Sequence, residues 1–243
     1  MTALQRVFVL TGAGISAESG LGTFRDRGGI WSRFDPMQLA TPEAFARDPE
    51  LVHEFYNLRR SGVVAASPNA AHTALARLEN GLHERGATLF LCTQNVDDLH
   101  ERAGSRAVTH MHGEILKARC LACDAVMPWQ DDLLVATPCP ACGETGSMRP
   151  DIVWFGEMPK HLDAIDAALR AADLFVAIGT SGAVYPAAGY VALARALGIP
   201  TCELNLEPSD NTTHFDEAHY GPASVVVPQW VEGRSRNQGA SSS

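Results

Sequence analysis

The chain has 243 residues, 46% of them hydrophobic and 19% charged, with a formal net charge of -9. That length holds one large domain or a large domain with a small satellite, and the composition is ordinary for a globular protein. The acidic balance weighs against nucleic-acid binding, no apolar run reaches the roughly 20 residues of a membrane span, and the start of the sequence reads as no export signal, so the cytoplasm is the expected location.

The first predicted element is a buried strand at residues 7–10, VFVL, which turns at once through GAGIS. Gly12 permits a tight turn, Gly14 lets the backbone approach a pyrophosphate, and Ala17 takes the third small position of a dinucleotide-binding turn. No acidic residue follows about 20 positions on at a second strand end, so dehydrogenase-type ribose recognition is not expected. Gly20 and Gly22 then break the chain where a long helix would run. A polar stretch from Asp26 leads to a helix predicted over residues 49–64, PELVHEFYNLRRSGVV, on which Tyr56 and Arg59 share a face. Leu75, Leu78 and Leu82 mark the next helix, with Ser67 as its cap and Pro68 in its first turn.

A second strand, at residues 88–93, ends in CTQNVDDLH. Gln94, Asn95, Asp97 and Asp98 therefore fall just past a strand end, the edge at which open parallel sheets bind ligands. Carboxamides there suit an amide-bearing ligand, and Asn95 is equally placed to cap a helix. THMHGE supplies His110 and His112 at a spacing that puts both on one face of an extended chain. A metal, a single catalytic base and a hydrogen-bonded structural histidine all fit that pattern.

The strongest local signal is Cys120 and Cys123, then fifteen residues, then Cys139 and Cys142. Four thiolates at this spacing predict one structural zinc, since the segment between them is too short to build its own core. A redox pair is the competing reading, but neither C-x-x-C follows a strand and opens a helix. Cys92 and Cys202 sit singly in apolar runs and read as buried hydrophobes.

Further strands are predicted at residues 151–155, 174–180, 201–206 and 224–228, with helices at 159–173 and 186–198, the second ending on Gly198. GTSGAVYPAAG, from Gly179, is another glycine and hydroxyl turn at a strand end, and ELNLEPS places Asn205 and Glu207 at the next. Strands alternating with helices predict an α/β fold, a Rossmann-like parallel sheet with helices on both faces. Two insertions, a helical one at 28–66 and a zinc-ribbon module at 117–148, are expected to form a smaller lobe. Residues 1–27, 67–116 and 149–231 are left to the nucleotide-binding domain. The polar, Ser-rich tail from Gly233 is expected to be disordered.

Taken in order, VLTGAGISAESGLGTFR, TQNVDDLH, MHGE, the four cysteines, RPDIVWFGE, GTSGAVYPAAG and ELNLEPS resemble the sirtuins, NAD-dependent protein lysine deacylases. The likeness is greatest to the bacterial and mitochondrial branch called class III. It implies NAD as co-substrate, bound by Gly12, Ala13, Gly14, Ser16, Phe24, Arg25, Gln94, Asn95, Asp97, Gly179, Thr180, Ser181, Asn205, Glu207 and Ala223. His112 would be the general base, with Asn95 as the second catalytic residue. Val153, Trp154 and Phe155 would line the acyl-lysine tunnel and pair with the substrate backbone as an added strand. Tyr56 and Arg59 match a Tyr-x-x-Arg that reads the distal carboxylate of succinyl- or malonyl-lysine, Arg59 by a forked charge-assisted contact and Tyr56 by a phenolic hydrogen bond. Ala40 matches a small residue that leaves room for the longer acyl group.

The reaction so implied is attack of the acyl oxygen on the anomeric carbon as nicotinamide leaves, giving lysine, nicotinamide and acyl-ADP-ribose. Acylated proteins or peptides would be the partners of a monomer, without nucleic acid or membrane. Mono-ADP-ribosyl transfer from the same NAD site is the alternative. Two departures stand out: Gly22 replaces a proline common in the family, and His110 is an extra histidine with no assigned role.

Overall fold

The computed structural model describes residues 5–22 and 39–239, with side chains as far as Arg234. Strand β1 (Arg6–Thr11) is buried from Val7 onward and runs into two short 3-10 turns, Ala13–Ile15 and Ala17–Ser19, where a long helix is absent as Gly20 and Gly22 foretold. Helices α1 (Pro42–Arg47) and α2 (Pro49–Ala65) follow, each with proline in its first turn and a side-chain cap, Thr41 and Asp48 respectively. Helix α3 (Ala70–His83) is capped by Asn69, not by Ser67. Asn69 Oδ1 accepts from the Ala71 amide at 2.9 Å and His72 Nδ1 accepts from the Asn69 amide at 3.3 Å. A reciprocal box of this kind satisfies two helix-end donors, which a lone serine cannot do.

Strand β2 (Thr88–Thr93), the short helix α4 (Leu99–Arg102) and strand β3 (Val108–His110) complete the first half of the molecule. Strands β4 (Gly113–Cys120), β5 (Val126–Pro128) and β6 (Met148–Ile152) come next, then helix α5 (Leu162–Arg170) and strand β7 (Leu174–Ile178). Helix α6 (Tyr190–Ala196), strands β8 (Thr201–Asn205) and β9 (Glu217–Tyr220), and helix α7 (Ala223–Gly239) end the described chain.

Six strands form a parallel sheet in the order β3-β2-β1-β7-β8-β9. One face carries Val7, Val9, Leu91, Val176 and Leu204 against Leu75 and Leu82 of α3 and Val227 and Trp230 of α7. The other carries Phe8, Leu10 and Phe175 against Ile165 and Leu169 of α5 and Val191 and Ala194 of α6. The predicted Rossmann-like layers are therefore present. Each such buried aliphatic or aromatic side chain stabilises the fold by about 1.5–3 kcal/mol before conformational entropy is set against it.

Besides the Ser67 cap, three expectations are overturned by the structure. The run at 151–155 is not a strand of the parallel sheet: β6 ends at Ile152 and pairs antiparallel with β4 in a separate three-stranded sheet, order β5-β4-β6. It is buried along its whole length there too, and burial on both faces does not reveal which sheet a strand joins. The run at 224–228 is the start of helix α7, whose Val226, Val227, Trp230 and Val231 are buried at helical spacing. Short apolar runs fit either structure. That helix also continues through the polar tail as far as Gly239. Among the described residues, no helix is long and apolar enough to cross a membrane.

Candidate active site

The carboxyl ends of the parallel strands gather most of the predicted residues at one edge. The chain reverses direction across the sheet between β1 and β7, and ligands bind at such switch points. The turns after these two strands lock backbone to backbone. The Gly12 amide donates to the Ile178 carbonyl and the Gly14 amide to the Gly179 carbonyl, both at 2.9 Å. A Cβ on Gly14 would lie 2.7 Å from Gly179 Cα, and one on Gly179, at φ +62, would lie 2.5 Å from the Ile15 amide nitrogen. The glycine signature thus lets two loops interdigitate, a reason additional to close approach of a pyrophosphate.

Above that floor lies a buried polar cluster. Asn95 Nδ2 donates to Ser16 Oγ at 3.1 Å, and Ser16 Oγ donates to Asp97 Oδ2 at 3.1 Å. His72 Nε2 is 3.3 Å from the same hydroxyl. Because His72 Nδ1 accepts from the Asn69 amide, Nε2 carries the ring proton and donates it to Ser16. Burial raises the Asp97 carboxyl above its usual value, opposed by the Leu99 amide and Ser16. Asn95 is therefore not a helix cap; its side chain belongs to the cluster. His72 was not singled out in the sequence, where a histidine on a helix beside alanines carries no signal.

His112 sits in the tight turn between β3 and β4. Its Nδ1 is 3.1 Å from the Gln94 carbonyl, which only accepts, so Nδ1 holds a proton and the neutral ring leaves Nε2 as the basic nitrogen. Burial lowers the His112 pKa below the ordinary imidazole value, partly opposed by that carbonyl. Gly113 has φ +80, and a Cβ there would stand 2.0 Å from the Asp151 carbonyl oxygen, which is why glycine must follow the histidine. His110 is turned away onto other partners and shares no metal set with His112 among the described residues.

The remaining residues of the predicted NAD set occupy the other strand ends. Asn205 Nδ2 donates to the Thr180 carbonyl at 2.8 Å, so this amide braces the β7 turn. Ser181 Oγ accepts from the Ala183 amide, Glu207 is exposed, and Ala223 opens α7, half-buried against the core. Phe24 and Arg25 lie outside the described residues.

The residues predicted for the acyl group are drawn together by segment 153–155. The Val153 amide donates to the His112 carbonyl and the Phe155 amide to the Ala40 carbonyl, each at 2.9 Å. The Trp154 amide donates to Glu157 Oε2 at 2.8 Å. All three N–H groups are thus taken up, so an added substrate strand would have to be held by carbonyls of this segment. Tyr56 is buried, and its hydroxyl accepts from Trp154 Nε1 at 2.9 Å. Since an indole nitrogen only donates, the Tyr56 proton remains for another acceptor. Burial raises the Tyr56 pKa, and the Arg59 charge opposes it; the Arg59 guanidinium lies 5.7 Å from the Tyr56 ring centre. Arg149 and Glu157 were not foreseen: Arg149 stacks 3.4 Å from the Trp154 ring centre and pairs with Glu157 at 2.7 and 3.0 Å.

The four predicted metal ligands converge. Cys120 Sγ lies 3.8 Å from Cys142 Sγ and Cys123 Sγ 3.8 Å from Cys139 Sγ, with all four within 4.8 Å of one another. A tetrahedron of thiolates about 2.3 Å from a zinc ion has sulfur–sulfur edges of about 3.8 Å, so the set fits zinc with no ligand position left over. Cys202 groups with Glu217 and His219, but Arg234 and His219 already engage that carboxylate.

A parallel sheet with nucleotide-type loops at its carboxyl edge and a four-cysteine zinc module beside it defines an α/β nucleotide-binding protein with a structural metal. The model of the Sir2 family matches residues 12–186, and this chain belongs to that family. The NAD-dependent protein deacylase of Caulobacter vibrioides is 62% identical over 96% of this chain and 98% of its own length. The NAD-dependent protein deacylase of Salmonella typhimurium is 53% identical over 93% of this chain and 83% of its own. Among solved structures, a Sir2 homolog–NAD complex has a TM-score of 0.86 at 38% identity, covering 96% of this chain and 91% of that one. Sir2 bound to acetylated peptide has a TM-score of 0.80 at 26% identity, covering 96% and 94%.

Proposed function

We infer that this chain is an NAD-dependent protein-lysine deacylase that removes succinyl and malonyl groups, with deacetylation retained. The general reaction follows from the family and from relatives of matching length. The acyl preference rests on one observation: Tyr56, its hydroxyl held by Trp154, lies beside Arg59, and Trp154 is one residue from Val153, whose amide is bonded to His112. A carboxylate reader is thereby tied to the residue that would handle the proton.

NAD, when bound, supplies an electrophilic sugar carbon and nicotinamide as leaving group. The interlocked glycine turns, with Ser16, Gln94, Asn95 and Asp97 on one side and Thr180, Ser181, Asn205 and Glu207 on the other, would hold and orient it. Phe24, Arg25 and Ala223 are proposed to complete that set. His112 would take a proton at Nε2, its orientation fixed by the Gln94 carbonyl. Arg59 would meet the distal carboxylate of the acyl group, and Tyr56 would donate its free proton to it. Ala40, a small side chain packed against the cluster that holds Tyr56, would leave room for the longer acyl group, and four reduced thiolates suit a cytoplasmic location.

The test uses succinyl and acetyl versions of one peptide with wild type and Arg59→Met. A charge-assisted hydrogen bond contributes about 1.5–3 kcal/mol, so succinyl kcat/KM is expected to fall about 10- to 100-fold while acetyl kcat/KM changes little. Succinyl activity surviving intact would end the carboxylate-reading proposal.

A further inference from the structure

His110 ends β3 and takes no part in the site described above. Its ring is buried, and both nitrogens meet oxygen: Nδ1 lies 3.2 Å from the Asn95 carbonyl and Nε2 2.7 Å from Glu101 Oε1. A backbone carbonyl only accepts, so Nδ1 carries a proton; an ionised carboxylate only accepts, so Nε2 carries another. A ring with both protons is an imidazolium. Burial alone would discharge it, but Glu101, with help from Glu114, outweighs that and holds His110 above the ordinary imidazole value. Burial likewise opposes the charge on Glu101, and His110 more than offsets it.

The charged neighbours come from every element around the ring. Glu101 belongs to α4, whose His100 is held neutral by burial. Glu114 belongs to β4 and pairs with Lys117 at 2.5 Å. Asp97 lies in the loop after β2 and interacts favourably with His110. In the same register, His112 takes the Gln94 carbonyl and His110 the Asn95 carbonyl, so two histidines spaced by two secure consecutive peptide units of one loop. Thr93 Oγ1 accepts from the Asn95 amide at 3.0 Å, which fixes the other side of that residue.

We propose that His110, as an imidazolium bridging Glu101 and the Asn95 carbonyl, is a positioning residue that holds the 94–98 loop in its NAD-binding form. The proposal rests on the reading of Asn95 and Asp97 as NAD contacts. Its sign is fixed: the contribution of His110 is complete below the ordinary imidazole value and is lost as pH rises through its higher value in the fold.

The test measures the Kd for NAD by calorimetry from pH 6 to 9, with the His110 ring followed by NMR, in wild type, Glu101→Gln and His110→Gln. The wild-type ring is expected to hold both protons at pH 7, and Kd to rise about fivefold as it loses one, the size of a single net hydrogen bond. Glu101→Gln keeps the shape without the charge and is expected to move the ring titration and the Kd rise down together by at least one pH unit. His110→Gln keeps an amide donor for the Asn95 carbonyl and is expected to lose the ring-linked rise. A purely structural role would weaken NAD equally at every pH and would overturn the proposal. So would a wild-type ring neutral at pH 7, or a Kd indifferent to its proton. Failure of the deacylase reading would show in turnover, which this measurement does not use.

Discussion

His112 owes its tautomer to the Gln94 carbonyl 3.1 Å away and its neutrality to burial. Both make Nε2 a base that stays available down to a pH below the ordinary imidazole value of about 6.5. His112→Ala is expected to leave NAD binding within a few-fold of wild type and to lower turnover about 100- to 10,000-fold. The wild-type acidic limb of kcat/KM is expected below pH 6.5, because the group must lose its proton to act. Unchanged turnover in the variant would remove His112 from the reaction. This residue, the four cysteines and the Tyr56–Arg59 pair were legible because motif or helical spacing brings them forward. The Ser16–His72 contact and the Arg149–Trp154–Glu157 stack were not. Ser16 and His72 stand 56 positions apart, and no local pattern joins them. Arg149 looked like any arginine before a proline until the Trp154 ring was seen beneath it.

A single strand joins His112 to the four-cysteine site. Strand β4 begins at Gly113, directly after His112, and ends at Cys120, the first zinc ligand. Around the cysteines the buried apolar set is small, Ala118, Leu133 and Met148 with the two buried thiols, so zinc supplies cohesion that packing alone does not. Removing the ion with a strong chelator is expected to lower the melting temperature and deacylation together, and added zinc to restore both. Full activity in metal-free protein would show that the module is independent of the His112 turn. Elements were legible where period and punctuation agreed, as in α2 with its proline start and α6 before Gly198. They were misread where a short apolar run stood alone. The 224–228 run contains Pro228 and no polar alternation, and only contact with α3 decides that it is helix. Strands β3, β4, β5 and β9 were not among the predicted strands, β3 and β5 being only three residues long and β9 four.

Across the whole molecule, the order of strands places the described loops after β1, β2, β7 and β8 on one edge, and that convergence is what turns separate weak motifs into a site. The alternation of strands and helices announced the parallel sheet. It could not announce that the VWF segment leaves a different, antiparallel sheet and is bonded through Val153 to the His112 turn. That arrangement sets Tyr56, the proposed acyl reader, and His112, the proposed base, on opposite ends of one hydrogen-bonded path, Trp154 to Tyr56 and Val153 to His112. The proposed deacylation therefore requires that the acyl group pass to a dinucleotide lying along the carboxyl edge, rather than to water. The direct measurement counts products from a succinyl-lysine peptide with and without NAD. One nicotinamide and one acyl-ADP-ribose for each lysine freed, and no lysine freed when NAD is withheld, is the expected result. Lysine freed at the same rate without NAD, with free succinate as the product, would contradict it.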